Sequence, residues 1–161
     1  MMEALEKTAE FKEAMRRIPA AVAVISALYQ GERRGLTATA VCSVSADPPR
    51  MLACVNKQVR AHDPIGLAGY FGVNYLCHDQ APVAQVFAAP ASQPEGRFSC
   101  GDWIEGRSGA PLLREALVAF ECQLVQSVDC GTHTIYIGDI IDIAQRDDLS
   151  LLYKSGAFRA A

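Results

Sequence analysis

The sequence predicts a mainly β, α+β domain organised around an antiparallel sheet or barrel, with a few peripheral helices. Residues 20–29, 35–45 and 50–56 are three consecutive extended stretches, and their connections are too short for the crossovers that parallel neighbours require. Residues 112–128 and 134–143 form a last long pair, alternating around Phe120, Cys122 and Leu124 and around Ile135, Ile137 and Ile141. Helical periods are confined to short stretches outside these runs.

At 161 residues the chain fits one domain, 1–161, long enough to bury a core without staples. Hydrophobic residues make up 50% and charged residues 20%, so no stretch reads as disordered. A net charge of −3 and the lack of a basic run argue against nucleic acid and anionic lipid as partners. Residues 1–12 are acidic without an apolar core, and no run approaches the roughly 18 apolar residues of a membrane span, so a cytoplasmic protein is expected. The six cysteines lie far apart with no C-x-x-C, which points to free thiols and to no structural zinc.

Taken in order, residues 5–18 read as an amphipathic helix with Phe11, Met15 and Ile18 on one stripe, stopped by Pro19. Residues 20–29 are apolar on both faces, a buried strand running into Gln30-Gly31-Glu32 and a hairpin. Its partner is 35–45, and after Pro48-Pro49 a third strand, 50–56, completes an antiparallel meander. Asp63 as N-cap and Pro64 at the first helical position open a helix to about Ala68; 70–76 is a strand, and Asp79 caps a helix over 80–87. Residues 88–110 form a long excursion rich in Gly and Pro, in which Trp103 is expected to pack in the core or a dimer contact. A turn at 130–133 joins the last long strands, and the tail 149–158 docks on the body through Leu152, Tyr153 and Phe158.

The stretch 35–45 is the most informative. Period two sends Leu36, Ala38, Ala40, Cys42 and Val44 to one face and Thr37, Thr39, Val41, Ser43 and Ser45 to the other. Four small hydroxyls on one face suit close approach of a ligand such as a phosphate; they equally suit an ordinary half-buried strand. Cys54 to Arg60 adds an amide, Asn56, and two cations, Lys57 and Arg60, at a strand end, which suits an anion or a solvated edge. His133 at a glycine turn has no nearby metal or nucleophile partner, and Asn74 interrupts an apolar strand, where it specifies the core if buried. No G-x-S-x-G, H-E-x-x-H, Walker or Rossmann pattern is present.

Together these stretches resemble the short-chain flavin reductase family, and within it the reductase component of two-component 4-hydroxyphenylacetate-type aromatic monooxygenases. The likeness runs through residues 11–15, 36–45, Pro48-Pro49, 54–56, 73–76 with His78 and Gln80, 87–88, 97–99, 131–133 and Tyr153-Lys154. It implies a flavin-binding split β-barrel, a homodimer with flavin near the subunit interface, and hydride transfer from NADH or NADPH to FMN or FAD. Reduced flavin would pass to a partner monooxygenase. Carried over, Thr37, Ala38, Thr39 and Ala40 line the flavin and Ser43 reaches its phosphate or ribityl part. Cys54, Val55 and Asn56 flank the ring, Lys57 and Arg60 take the phosphate, and His133 positions nicotinamide or flavin. No acid–base residue is required, because the cofactors carry the chemistry. The alternative is a non-enzymatic split-barrel carrier of flavin or haem, with His133 as the axial ligand. Whether flavin is prosthetic or a substrate, and which oxygenase it serves, stays open.

Overall fold

The computed structural model describes residues 1–90 and 94–161. It opens with α1 (Met2–Arg16), none of whose residues is buried, so the predicted stripe of Phe11, Met15 and Ile18 faces solvent. β1 (Ala20–Ala21) leads into β2 (Ala23–Tyr29), which is buried on both faces. Ala23, Ile25 and Ala27 face the barrel interior, while Val22 and Val24 join a second cluster with Phe87. That double burial explains why the stretch reads as a continuous apolar run. Gln30 and Gly31, with φ of 52° and 76°, make the tight turn into β3 (Glu32–Ala38).

The expected strand 35–45 is two strands. A tight turn in which Val41 N–H donates to Thr39 O (3.0 Å) ends β3 and starts β4 (Val41–Ala46), which pairs with β5 (Pro49–Asn56). In the seven-stranded sheet of order β3-β2-β6-β9-β10-β5-β4, the two halves lie at opposite edges, so the meander expectation is corrected at this joint. Here β6 is Tyr70–Tyr75, β9 Val118–Cys130 and β10 His133–Gln145, all neighbours antiparallel. The turn also exchanges faces: Leu36 and Ala38 point inward before it and Val41 after it, so even residues no longer share one side. Cys54 N–H donates to Ala40 O (2.9 Å), tying the crossing segment to β5 and closing one end of the barrel.

The helix caps differ from expectation. α2 (His62–Ala68) starts from Ala61, because Asp63 is drawn to His62 Nδ1 (2.7 Å) instead of capping. α3 (Ala81–Ala88) starts from Gln80, not Asp79. Gln80 Oε1 instead accepts from Cys77 N–H (2.8 Å), bracing the loop that precedes the helix. Within the excursion 88–110 a 3-10 turn (Pro94–Ser99) is followed by β7 (Trp103–Glu105), which pairs with β8 (Pro111–Leu113); the part at 91–93 lies outside the described residues. Trp103 packs in the core against Phe87 and Phe98, at ring-centroid distances of 5.2 and 5.0 Å, and its Nε1–H donates to Cys100 O. Asn74 is fully buried and satisfied: Nδ2 donates to Val24 O and Ser26 Oγ, and Oδ1 accepts from Leu113 N–H. The tail is a hairpin, β11 (Leu151–Lys154) and β12 (Ala157–Ala160), added to β1 as a small sheet.

Candidate functional site

Because β3 and β4 diverge at Thr39-Ala40, the barrel is split on the side where β3 faces the end of β5 and the loop 57–61. α3 closes over this split. Gly35 makes that possible, since a Cβ there would meet the Phe87 ring at 2.8 Å. Thr37 Oγ1 donates to Ala84 O (2.6 Å), so this hydroxyl holds the helix to the strand. Two cavities meet at Ala88 and Ala89. One, about 500 Å³, lies on the outer face of Thr37, Ala38 and Thr39, walled by Gln85, Tyr153 and Phe158; the other, about 360 Å³, is lined by Leu36, Gln58, Arg34, Arg60 and Arg97.

The second cavity is cationic. Arg97 donates to Gly35 O (3.0 Å) and to Ala89 O, neutral backbone acceptors that do not offset its charge. Burial, and then the neighbouring Arg60, lower its pKa. Arg34 pairs with Glu32. Lys57 does not join them: its Nζ pairs with Asp129 (2.7 Å) and its N–H donates to Thr132 O, turning it to the β9–β10 turn.

A strip of residues continues the site across the outer face of β5 and β10. Asn56 stands opposite His133 and Cys54 opposite Ile135, so Cys54, Asn56 and His133 share one face. His133 is the first residue of β10 and half-buried, with Nδ1 bonded to Thr132 Oγ1 (2.8 Å). Asn56 Oδ1 accepts from Gln58 N–H (2.9 Å), shaping the loop that carries Arg60. That loop is pinned from below: His62 Nε2 bonds Thr134 Oγ1 (2.7 Å), and Tyr136 OH donates to His62 O (2.9 Å). Burial first, then the nearby Cys42 and Cys130 thiols, push the Cys54 thiol up, which disfavours its thiolate.

The structure thus brings together Thr37, Ala38, Thr39, Ala40 and Arg60 around the split, with Cys54, Asn56 and His133 on the adjoining strip. Val55 points into the barrel with no exposed surface, leaving only its backbone to a ligand. Ser43 lies on β4 opposite Met51, beyond the turn that exchanges faces, and lines neither cavity. Residues not foreseen from the sequence are Gln85 and Phe158, together with Arg34 and Arg97. They come from α3, the tail hairpin and the 3-10 turn, and no local pattern signals that these meet.

Chemically the site can bind and orient a flat anionic molecule. It holds hydroxyls, an amide, an imidazole and guanidinium groups, which bind by hydrogen bonds and charge. Among the described residues no three His, Cys, Asp or Glu side chains are placed to hold a metal ion.

Comparison with known proteins gives a consistent picture. A flavin reductase like domain model matches residues 15–161. The chain is 38% identical over 146 residues to the FMN reductase (NADH) RutF of Pseudomonas syringae pv. syringae (strain B728a), covering 91% of this chain and 82% of that protein. It is 37% identical over 155 residues to the reductase component of the FADH(2)-dependent resorcinol hydroxylase of Rhizobium sp. (strain MTP-10005), covering 94% and 86%. The structure of the NADH:FAD oxidoreductase SgcE6 of Streptomyces globisporus C-1027, in complex with NAD and FAD fragments, superposes with a TM-score of 0.88 at 30% identity, covering 96% and 92%.

Proposed function

The chain belongs to the flavin reductase-like domain family, and from that premise we propose that it is an NADH-dependent flavin reductase whose reduced flavin serves a partner oxygenase. The observation that carries this reading is the split itself, a cavity of small residues and hydroxyls at Thr37–Thr39 joined to a cationic cavity at Arg60. Flavin fits these residues. Small side chains at 37–40 let a ring lie close to the backbone, and the arginines match a phosphate, bidentately where geometry allows.

When bound, the flavin accepts a hydride that the reduced nicotinamide donates. The protein's part is orientation. Thr39 and Ala40 offer a close floor, Asn56 supplies amide hydrogen bonds at the strand end, and Arg60 anchors the phosphate. His133, whose Nδ1 is held by Thr132 Oγ1, orients the nicotinamide or the ring edge. Alignment of donor and acceptor is worth more here than any proton transfer.

A homodimer belongs to the same reading. Along β4, β5, β10 and β9, Val44 and Val125 are exposed, and Leu52, Ile135 and Ile137 on the outer face are only partly covered. A second copy laid there would shelter the strip of Cys54, Asn56 and His133. A cytoplasmic location fits the free thiols of all six cysteines.

The test is a steady-state assay crossing FMN and FAD with NADH and NADPH. NADH oxidation far above the flavin-only background is expected; no stimulation with either flavin would overturn the assignment.

A further inference from the structure

We propose that Tyr153 on the tail hairpin is a ring-binding residue of this site, stacking against the planar ring of the bound flavin or nicotinamide; the proposal rests on the flavin reductase reading. Tyr153 borders two cavities at once. It lines the 500 Å³ cavity with Thr37 and Thr39, and a further groove of about 270 Å³ with Thr39, Ala40, Met15 and Ile18. Thr39 is common to both, so the aromatic ring faces the segment where the barrel splits.

The hairpin is a built wall. Tyr153 is register-paired with Ala20 across β1 and β11, and Phe158 braces its ring at a centroid distance of 5.4 Å and 60°. The hairpin turn, with Ser155 at φ 54° and Gly156 at φ 79°, is fastened to α1 by Ser155 N–H donating to Arg16 O (2.7 Å). So fixed, Tyr153 still leaves 38% of its surface exposed, next to Met15 at 49% and Ile18 at 54%. Three large apolar groups therefore surround a groove whose opposite side is made of Thr39 and Ala40.

The chemistry of this groove separates it from the rest of the site. Its lining includes no carboxylate and one cation, Arg16, whereas the cavity at the far side of Ala88 and Ala89 carries Arg34, Arg60 and Arg97. A phosphate belongs at the arginine end. Small residues on one wall and an aromatic face with a thioether on the other suit a flat heteroaromatic ring. Continuity through Thr39 makes the occupant a part of the same cofactor pair.

The experiment measures FMN dissociation by flavin fluorescence and the KM for NADH at saturating FMN in wild type, Tyr153→Phe, Tyr153→Ala and Met15→Ala. Tyr153→Ala should weaken one of the two parameters about tenfold, as loss of a base–aromatic stack does, with kcat at saturation retained. Tyr153→Phe should stay within about twofold, because the ring and not the hydroxyl does the stacking. Met15→Ala should move the same parameter by about two- to threefold, the size of losing part of an apolar contact. A change in FMN dissociation assigns the ring to flavin; a change confined to the NADH KM assigns it to nicotinamide. Wild-type values of both parameters in Tyr153→Ala, at an unchanged melting temperature, overturn the proposal, as does an equal loss in Tyr153→Phe. Should Tyr153→Ala fail to fold, Met15→Ala decides, since Met15 is exposed on α1, and wild-type values there overturn it. A wild-type protein that binds FMN without oxidising NADH refutes the reductase reading, while the fluorescence titrations still report on the wall.

Discussion

Two asparagines on strands of the same sheet have opposite surroundings. Asn74 on β6 is fully buried, and its amide is saturated by Val24, Ser26 and Leu113, with Ser26 Oγ in turn donating to Pro111 O. Asn56 at the end of β5 is half-buried, shares its face with His133, and uses its Oδ1 to shape the loop to Arg60. A buried polar group that finds all its partners inside the chain fixes a structure. One left at a surface with capacity to spare is available to a ligand. The same contrast separates Thr37, committed to Ala84 O, from the exposed Thr39 two residues on.

The contrast can be broken by substitution. Asn74→Ala should cost about 3 kcal/mol of stability in urea unfolding, since it strands the Leu113 N–H and weakens the Ser26 contact. Its flavin affinity should stay at the wild-type value. A cost below about 1 kcal/mol, the scale of an ordinary surface change, would remove the structural half of the comparison. Arg60→Ala should raise the KM for FMN roughly tenfold or more, the weight of a charge-assisted bond, with riboflavin unaffected. Equal losses for both flavins would move the phosphate elsewhere. His133→Ala should lower kcat by about tenfold with FMN dissociation unchanged, the pattern of a group that acts during hydride transfer. An effect on FMN binding alone would place His133 in the flavin pocket and not at the nicotinamide. The smallest effect is at Cys54. With its pKa raised, less thiolate is present at pH 8, so iodoacetamide should modify exposed Cys42 and Cys130 first, and Cys54 should catch up only as the pH rises. Rapid Cys54 labelling at pH 8 would show that the strip is less enclosed than the structure has it.

The strands were legible because period two and β-branched runs are local. Residues 50–56 and 70–76 match β5 and β6 to within a residue. Of the long final pair, 134–143 falls within β10, whereas the expected strand 112–128 starts only at Val118 as β9; Leu112 and Leu113 belong to β8, which pairs with β7. The helix starts differ from the spacing at Asp63, which bonds His62 Nδ1, and at Asp79, where the cap position falls to Gln80. The Thr39-Ala40 turn was missed as well. Threonine and alanine there look like strand, and only the demand to reach β5 bends the chain.

Alternation and turn residues in the sequence therefore determined a mainly β domain, its principal strands and the hydroxyl-bearing segment 37–39, and the ordered set of short motifs pointed to the family. Tertiary structure alone decided that this segment splits the barrel, that Val55 and Ser43 stand apart from the cavities, and that Tyr153 and Arg97 join them. The physical reason is range. Strand formation depends on neighbours a few residues away, whereas a cleft is made where segments distant in sequence meet, here β3, α3, the loop 57–61 and the tail hairpin.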